Sequence, residues 1–345
     1  MTSESVGLSN EATVQFVDVS EGINPDNVSY EQLGKNLWIY MMSYYPNGPK
    51  PKWEPKILSS LLDDSMKAMQ NDPMVPNMAT PAVVFGPIYG EADSLITLIS
   101  MAGRPPDVNY VFLGCYLGHG FAPLESLAFL LCYKVLYPNR VILLKGHHEE
   151  SIAIQLLKVN ELLVQRGVAK LDAEKLVEQM KRTCSFMPPA ALINTRILCV
   201  PGGPGPLMRK FGLKYLCDMN RLPKTINDKK IVMEASWSVL ILNEAQKDMN
   251  GMPSFTMEQA AQFCVDNDIE CLIRGRQLVD EGFLNKPREV ITLVSAVAYL
   301  DNFRNYAACM KIEGRNATII RYKMEEGEQL SLELVKPGMG RNAVW

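Results

Sequence analysis

Short apolar runs alternate with helically periodic stretches through the middle of this 345-residue chain, and that alternation most constrains its fold. Residues 82–85, 110–113, 141–144 and 197–200 are continuous apolar runs such as Ala-Val-Val-Phe and Tyr-Val-Phe-Leu. Runs of this length fit strands buried on both faces. Between them Leu95, Leu98, Ile99 and Ala102, then Leu127, Leu130 and Leu131, recur at the spacing of one helix face. The order strand, helix, strand predicts a layered α/β fold. Further strands are predicted at 270–273, 290–294, 307–312 and 317–322. A second sheet packed on the first follows from them, an α/β sandwich of two mixed sheets flanked by helices. Helices are predicted from Tyr30 through Leu33, Leu37, Tyr40 and Met41 to Tyr44, and from Pro55 through Ile57, Leu61, Leu62, Met66 and Met69. Another starts at Thr256, where Gln259 completes a capping box. Residues 205–253 show no clear period. Residues 1–28 read as a mobile acidic lead-in, 29–324 as one domain and 325–345 as a tail.

Composition removes several functions. The hydrophobic fraction of 47% supports a large core, and the net charge of −3 does not suit coating a nucleic acid. The longest apolar stretch, 124–137, is broken by Glu125, Ser126 and Lys134, so no membrane span is expected. The N-terminus lacks a basic start followed by an apolar block, so no secretory signal is expected. Eight cysteines without paired spacing suit reduced thiols in the cytoplasm or nucleus.

The predicted strand ends carry the distinctive residues. Val83-Val-Phe-Gly-Pro-Ile-Tyr-Gly-Glu91, Tyr110-Val-Phe-Leu-Gly-Cys-Tyr-Leu-Gly-His-Gly120 and Leu143-Leu-Lys-Gly-His-His-Glu149 occur in order, followed by Cys199-Val-Pro-Gly-Gly203, Leu272-Ile-Arg-Gly-Arg-Gln-Leu-Val-Asp-Glu-Gly282 and Ser295-Ala-Val-Ala-Tyr299. These six segments resemble the signature loops of the phosphoprotein phosphatase family, most nearly the type-1 Ser/Thr protein phosphatases, over about residues 30 to 323. The resemblance implies a metallophosphatase-like sandwich. It also implies a site in which two metal ions sit on carboxylate, amide and imidazole ligands at strand ends.

At the six positions where the family holds its ions, this chain has Pro87, Tyr89, Cys115, His147, Pro201 and Arg276. Proline has no side-chain donor, arginine is a permanent cation, and hard divalent ions prefer carboxylate oxygens that none of the six supplies. The family's general-acid histidine corresponds to His148. The aspartate that orients it corresponds to Gly118, and the phosphate-clamping arginine to His119. The expectation is a degenerate member without catalytic activity, cofactor or small-molecule substrate, acting on protein partners as scaffold, adaptor or regulatory subunit.

Two other readings of the cleft stay open at this point. Cys115 and His147 occupy positions that share one metal in the family, and thiolate with imidazole is a zinc-like pair. Alternatively, Lys145, Arg274 and Arg276 form a phosphopeptide receptor without hydrolysis, set against an internal ion pair of Arg276 with Glu91 or Glu149. A peptide-binding channel is also implied by the resemblance. It is expected at Ile197, Glu270, Cys271, Leu284, Arg288, Ile291, Ile319, Ile320 and Tyr322, where a short extended hydrophobic motif of a partner would add to the strand at 317–322.

Overall fold

In the computed structural model, which describes residues 19–43, 50–242, 251–285, 289–298, 304–323 and 326–333, the apolar runs are strands and the periodic stretches are helices. The strands are β1 (Asn77–Met78), β2 (Ala82–Phe85), β3 (Asn109–Phe112), β4 (Val141–Leu143), β5 (Ala191–Ile193), β6 (Ile197–Val200) and β7 (Val239–Ile241). They continue with β8 (Ser254–Thr256), β9 (Cys271–Arg274), β10 (Phe283–Leu284), β11 (Val290–Leu293), β12 (Ala307–Glu313), β13 (Asn316–Lys323) and β14 (Glu326–Glu333). The helices are α1 (Tyr30–Met42), α2 (Pro55–Gln70), α3 (Ala92–Ala102), α4 (Pro123–Leu136) and α5 (Ser151–Leu156). They are followed by α6 (Val159–Gln165), α7 (Lys170–Ser185), α8 (Pro206–Asp218), α9 (Ile226–Trp237) and α10 (Met257–Asp266). A 3-10 turn, His147–Glu149, follows β4. The capping box read at Thr256 forms, with Thr256 and Gln259 each accepting the other's backbone N–H.

Two six-stranded sheets stack face to face, in the orders β14-β13-β12-β2-β3-β4 and β1-β5-β6-β9-β11-β10. Each is mixed, and each contains a parallel triplet: β2, β3 and β4 in the first, β6, β9 and β11 in the second. The strands predicted at 307–312 and 317–322 return to the first sheet, pairing antiparallel beside β2, rather than extending the second.

Alternation along the strands divides the core into layers although the sequence there is apolar throughout. Val84, Val111 and Ile142 meet Ile197, Ile273 and Ile291 between the sheets. Val83, Phe85, Tyr110 and Phe112 face α1, α2, α3, α4 and α7. Leu198, Val200, Leu272 and Val290 face α8, α9 and α10. The result is helix, sheet, sheet, helix.

Three segments show structure that the sequence did not reveal. Residues 19–28, assigned to a mobile lead-in, pack on α1: Val19 is buried, and Asn36 Nδ2 donates to the carbonyls of Val19 (3.4 Å) and Glu21 (3.1 Å). The segment 205–253, without visible period, contains α8, α9 and β7. The tail assigned to 325–345 begins with β14, which pairs antiparallel with β13 from Lys323↔Glu326 to Asn316↔Glu333.

Candidate functional site

The parallel triplets direct the C-terminal ends of their strands into one crevice, where open α/β sheets collect their ligands. Pro87 and Tyr89 follow β2, Cys115, Gly118 and His119 follow β3, and His147 and His148 follow β4. Pro201 follows β6 and Arg276 follows β9. Contacts tie the two sets of loops together. Gly275 donates its N–H to the Pro201 carbonyl at 2.9 Å, and a Cβ on Gly275 would meet Pro87 Cδ at 2.5 Å. The ring centroids of Tyr89 and His148 lie 5.3 Å apart, those of His148 and His147 4.3 Å, and those of His147 and Trp237 5.2 Å. The Arg276 guanidinium sits 5.3 Å over the Trp237 ring.

Tyr89, Cys115 and Arg276 adopt left-handed backbone conformations (φ 54°, 55° and 72°) that non-glycine residues rarely occupy. Such conformations persist only where the surrounding packing imposes them. Gly118 shows the same crowding. A Cβ there would lie 2.3 Å from the Tyr89 carbonyl oxygen, so no side chain, and no carboxylate, fits beside His148.

Hydrogen bonds define the chemistry of the remaining groups. Cys115 Sγ and His147 Nδ1 are 3.0 Å apart. Burial raises the Cys115 thiol well above its ordinary value, with the Glu149 charge adding to the effect. Burial first, then Arg276 and His148, lowers His147 to about 2. A neutral thiol therefore faces a neutral imidazole. His148 Nδ1 lies 2.6 Å from the Leu117 carbonyl, which can only accept, so Nδ1 carries the proton. No carboxylate orients His148, since Gly118 stands at the position the resemblance assigns to one. A backbone carbonyl fixes it instead. Burial lowers the His148 pKa, so Nε2 is a bare acceptor at neutral pH and not a proton donor. His119 is exposed.

Glu149 does not pair with Arg276. It receives the backbone N–H groups of Cys115 (2.7 Å), Tyr116 (2.9 Å) and Leu117 (3.4 Å), fastening the loop after β3 to the turn after β4. Among the described residues Arg276 forms no ion pair. Its Nη2 touches the Met252 sulfur at 3.5 Å and its shielded Nε has no hydrogen-bond partner. Lys145 pairs with Glu150 at 3.0 Å. Arg274 is fully buried and donates to Gly202 O (2.5 Å), Thr292 Oγ1 (3.3 Å) and Ser238 O (3.4 Å). The three-cation receptor expected from sequence thus reduces to Arg276 alone. Trp237 and Met252 were missed because both lie in the stretch without a period.

A family model for calcineurin-like phosphoesterases matches residues 80–275, the span that carries these loops. The chain belongs to that family. Among solved structures, it is similar to a protein serine/threonine phosphatase from Saccharomyces cerevisiae described as similar to human phosphatase PP5. The TM-score is 0.71 and the identity 18%, over 80% of this chain and 92% of that one. It is also similar to a cold-active protein-tyrosine phosphatase of a psychrophilic Shewanella species, with a TM-score of 0.52 and 16% identity over 76% and 84% of the two chains. Both likenesses concern the fold.

Calcineurin-like phosphoesterases work with divalent ions, and the residues of this crevice do not fit such ions. Two of the six positions are prolines and one is an unneutralised guanidinium. Two zinc ligands, with Zn–S of about 2.3 Å and Zn–N of about 2.1 Å, stand roughly 3.6 Å apart across a tetrahedral ion. The Cys115–His147 separation of 3.0 Å is that of a direct hydrogen bond. Among the described residues no three His, Cys, Asp or Glu side chains are grouped as a metal would require.

The expected peptide channel is placed differently from the crevice, and much of it is interior. Ile197, Cys271, Ile291 and Ile319 lie in the core between the sheets, and Ile320 in the core on the helix side. Tyr322 is half-buried and donates its hydroxyl to Asp93 Oδ2 at 3.1 Å. Leu284 and Glu270 are half-buried, with Glu270 4.0 Å from Arg196. Arg288 lies outside the described residues. The edge of β13 that a peptide strand was expected to take is paired with β14. Alternate strand residues on a two-sided core must be apolar whatever their use, so the pattern alone did not distinguish a groove from a core.

Proposed function

We propose that this calcineurin-like phosphoesterase is catalytically silent and works by binding protein, as a scaffold, adaptor or regulatory subunit. The observation that carries the reading is the replacement of ion-holding positions by Pro87, Pro201 and Arg276, with a cation standing where the family places a divalent ion. In two-ion phosphoesterases the ions activate the attacking water and neutralise charge on the transferred group. The groups left here do neither: His148 is held as a neutral acceptor, and the Cys115 thiol and His147 satisfy each other. Cytoplasmic or nuclear residence and protein partners belong to the same proposal.

The full-length chain, purified without chelator, should carry substoichiometric metal by elemental analysis. It should not hydrolyse p-nitrophenyl phosphate with or without added Mn²⁺. Stoichiometric metal together with turnover that a His148→Ala change removes would overturn the reading. A partner role is checked by affinity purification followed by reconstitution, with a stable complex of defined stoichiometry as the expected result.

A further inference from the structure

We propose that the crevice is a metal-free carboxylate receptor in which Arg276 holds the acidic group of a partner side chain or of a small organic acid. The inference rests on the non-catalytic reading above and names the ligand of the same site.

The starting point is an unmatched charge. A guanidinium withdrawn from water normally finds a carboxylate, because an unpaired charge at such a position is costly. Arg276 is half-buried, its shielded Nε has no hydrogen-bond partner, and its Nη2 makes only a 3.5 Å contact to the Met252 sulfur. Two acidic residues were the natural internal partners. Glu149 is committed to three backbone N–H groups, and among the described residues no ion pair joins Arg276 to Glu91, which has a partner of its own. The left-handed backbone at Arg276 turns the chain there at a conformational cost, and nothing among the described residues repays it with a salt bridge.

The surroundings select the kind of anion. Lys145 is matched by Glu150, and the donors of Arg274 point at Gly202, Thr292 and Ser238. His147 and His148 add no charge near neutral pH, since burial and the neighbouring guanidinium keep both neutral. Among the described residues, one cation is therefore on offer. A phosphate monoester carries about −1.5 to −2 near neutral pH and would remain under-neutralised. A carboxylate carries one charge, and its two oxygens match the planar fork of a guanidinium. The Trp237 ring beneath Arg276 gives the receptor one apolar wall, which strengthens an ion pair on that side, while Met252 lies at the exposed rim.

The test follows the Arg276 Nε–H resonance of the full-length chain by nitrogen NMR during titration. The probes are sodium glutarate, acetyl-Leu-Glu-Leu-amide, its neutral Leu-Gln-Leu counterpart and sodium phosphate. The resonance should move with glutarate or the glutamate peptide, with a dissociation constant on the order of millimolar, and stay still with the glutamine peptide. Arg276→Gln should abolish the response, and Arg276→Lys should weaken it about tenfold because the fork is lost. Peptide binding tighter than glutarate assigns the carboxylate to a protein partner, and the reverse assigns it to a small acid. Tighter binding of phosphate than of either carboxylate, or no response to any probe, overturns the inference. If the Arg276 variants fail to fold, the wild-type titration decides alone. Elemental analysis and a p-nitrophenyl phosphate assay of the same sample separate this failure from that of the non-catalytic reading, which bound metal together with turnover would overturn.

Discussion

Glu149 is the residue on which the geometry of the crevice turns, because it joins two loops through three backbone N–H groups while lying fully inside the protein. Burial is the largest influence on it and raises its pKa from 4.5 to about 7, against the pull of the N–H donors. A folded-state pKa above the unfolded value means that Glu149 supports the fold fully below about pH 4.5, and that this support fades as pH rises through about 7. The shift corresponds to roughly 3 kcal/mol. The stability gap between the parent and Glu149→Gln, measured by urea unfolding, should therefore shrink from about pH 5 to about pH 8. A gap that widens with pH would mean that the donors outweigh burial and that the carboxylate is charged throughout. Gly118 illustrates the limit of reading such a site from sequence. The missing carboxylate was visible in the residue type, but the close approach that goes with it, the Tyr89 carbonyl oxygen 2.3 Å from where a Cβ would stand, is a contact between loops 29 residues apart (118 minus 89).

Elements were legible where one physical constraint dominated. β2, β3, β4 and β6 are buried on both faces, so their sequences are unbroken apolar runs and their positions followed directly. α9 was not legible, since it buries Asp228 and Glu234 alongside Ile231 and Ala235 and so shows no apolar stripe. Those acids are satisfied by the Tyr215 hydroxyl (2.9 Å) and the Leu207 N–H (2.7 Å), partners that periodicity cannot reveal. The one usable signal was Thr225-Ile-Asn-Asp228, which forms a capping box. β13 shows the opposite error, a core strand read as a binding edge. Ile319 has 0% exposure between the sheets, so Ile319→Asp places an unpaired carboxylate in the core. The expected cost is on the order of 3 to 5 kcal/mol, a large part of a domain's stability. Urea unfolding should show that loss. A variant as stable as the parent would mean that the side chain reaches solvent and that the groove exists after all.

For the whole molecule, the open question is what closes the crevice between the two sheets in a family whose crevice is built around ions. Clustered carboxylate ligands repel one another when their ions leave, so metal and fold are coupled in such proteins. Here the loops meet through neutral contacts: Gly275 packed on Pro87, the Gly275 N–H on the Pro201 carbonyl, Cys115 against His147, and His148 against the Leu117 carbonyl. Glu149, the acid among these contacts, is surrounded by N–H donors and lies opposite no second carboxylate in the hydrogen-bond network of the loops. An ion held at a thousand times its dissociation constant adds about 4 kcal/mol to stability, which amounts to several degrees of Tm. None of that contribution is needed to hold these contacts. Thermal unfolding of the full-length chain should therefore give the same Tm with and without excess EDTA, and added Zn²⁺ or Mn²⁺ should not raise it. A fall of several degrees on chelation, restored by Zn²⁺ and absent in Cys115→Ser, would instead show that the Cys115–His147 pair opens around an ion, and the non-catalytic reading would lose its main support.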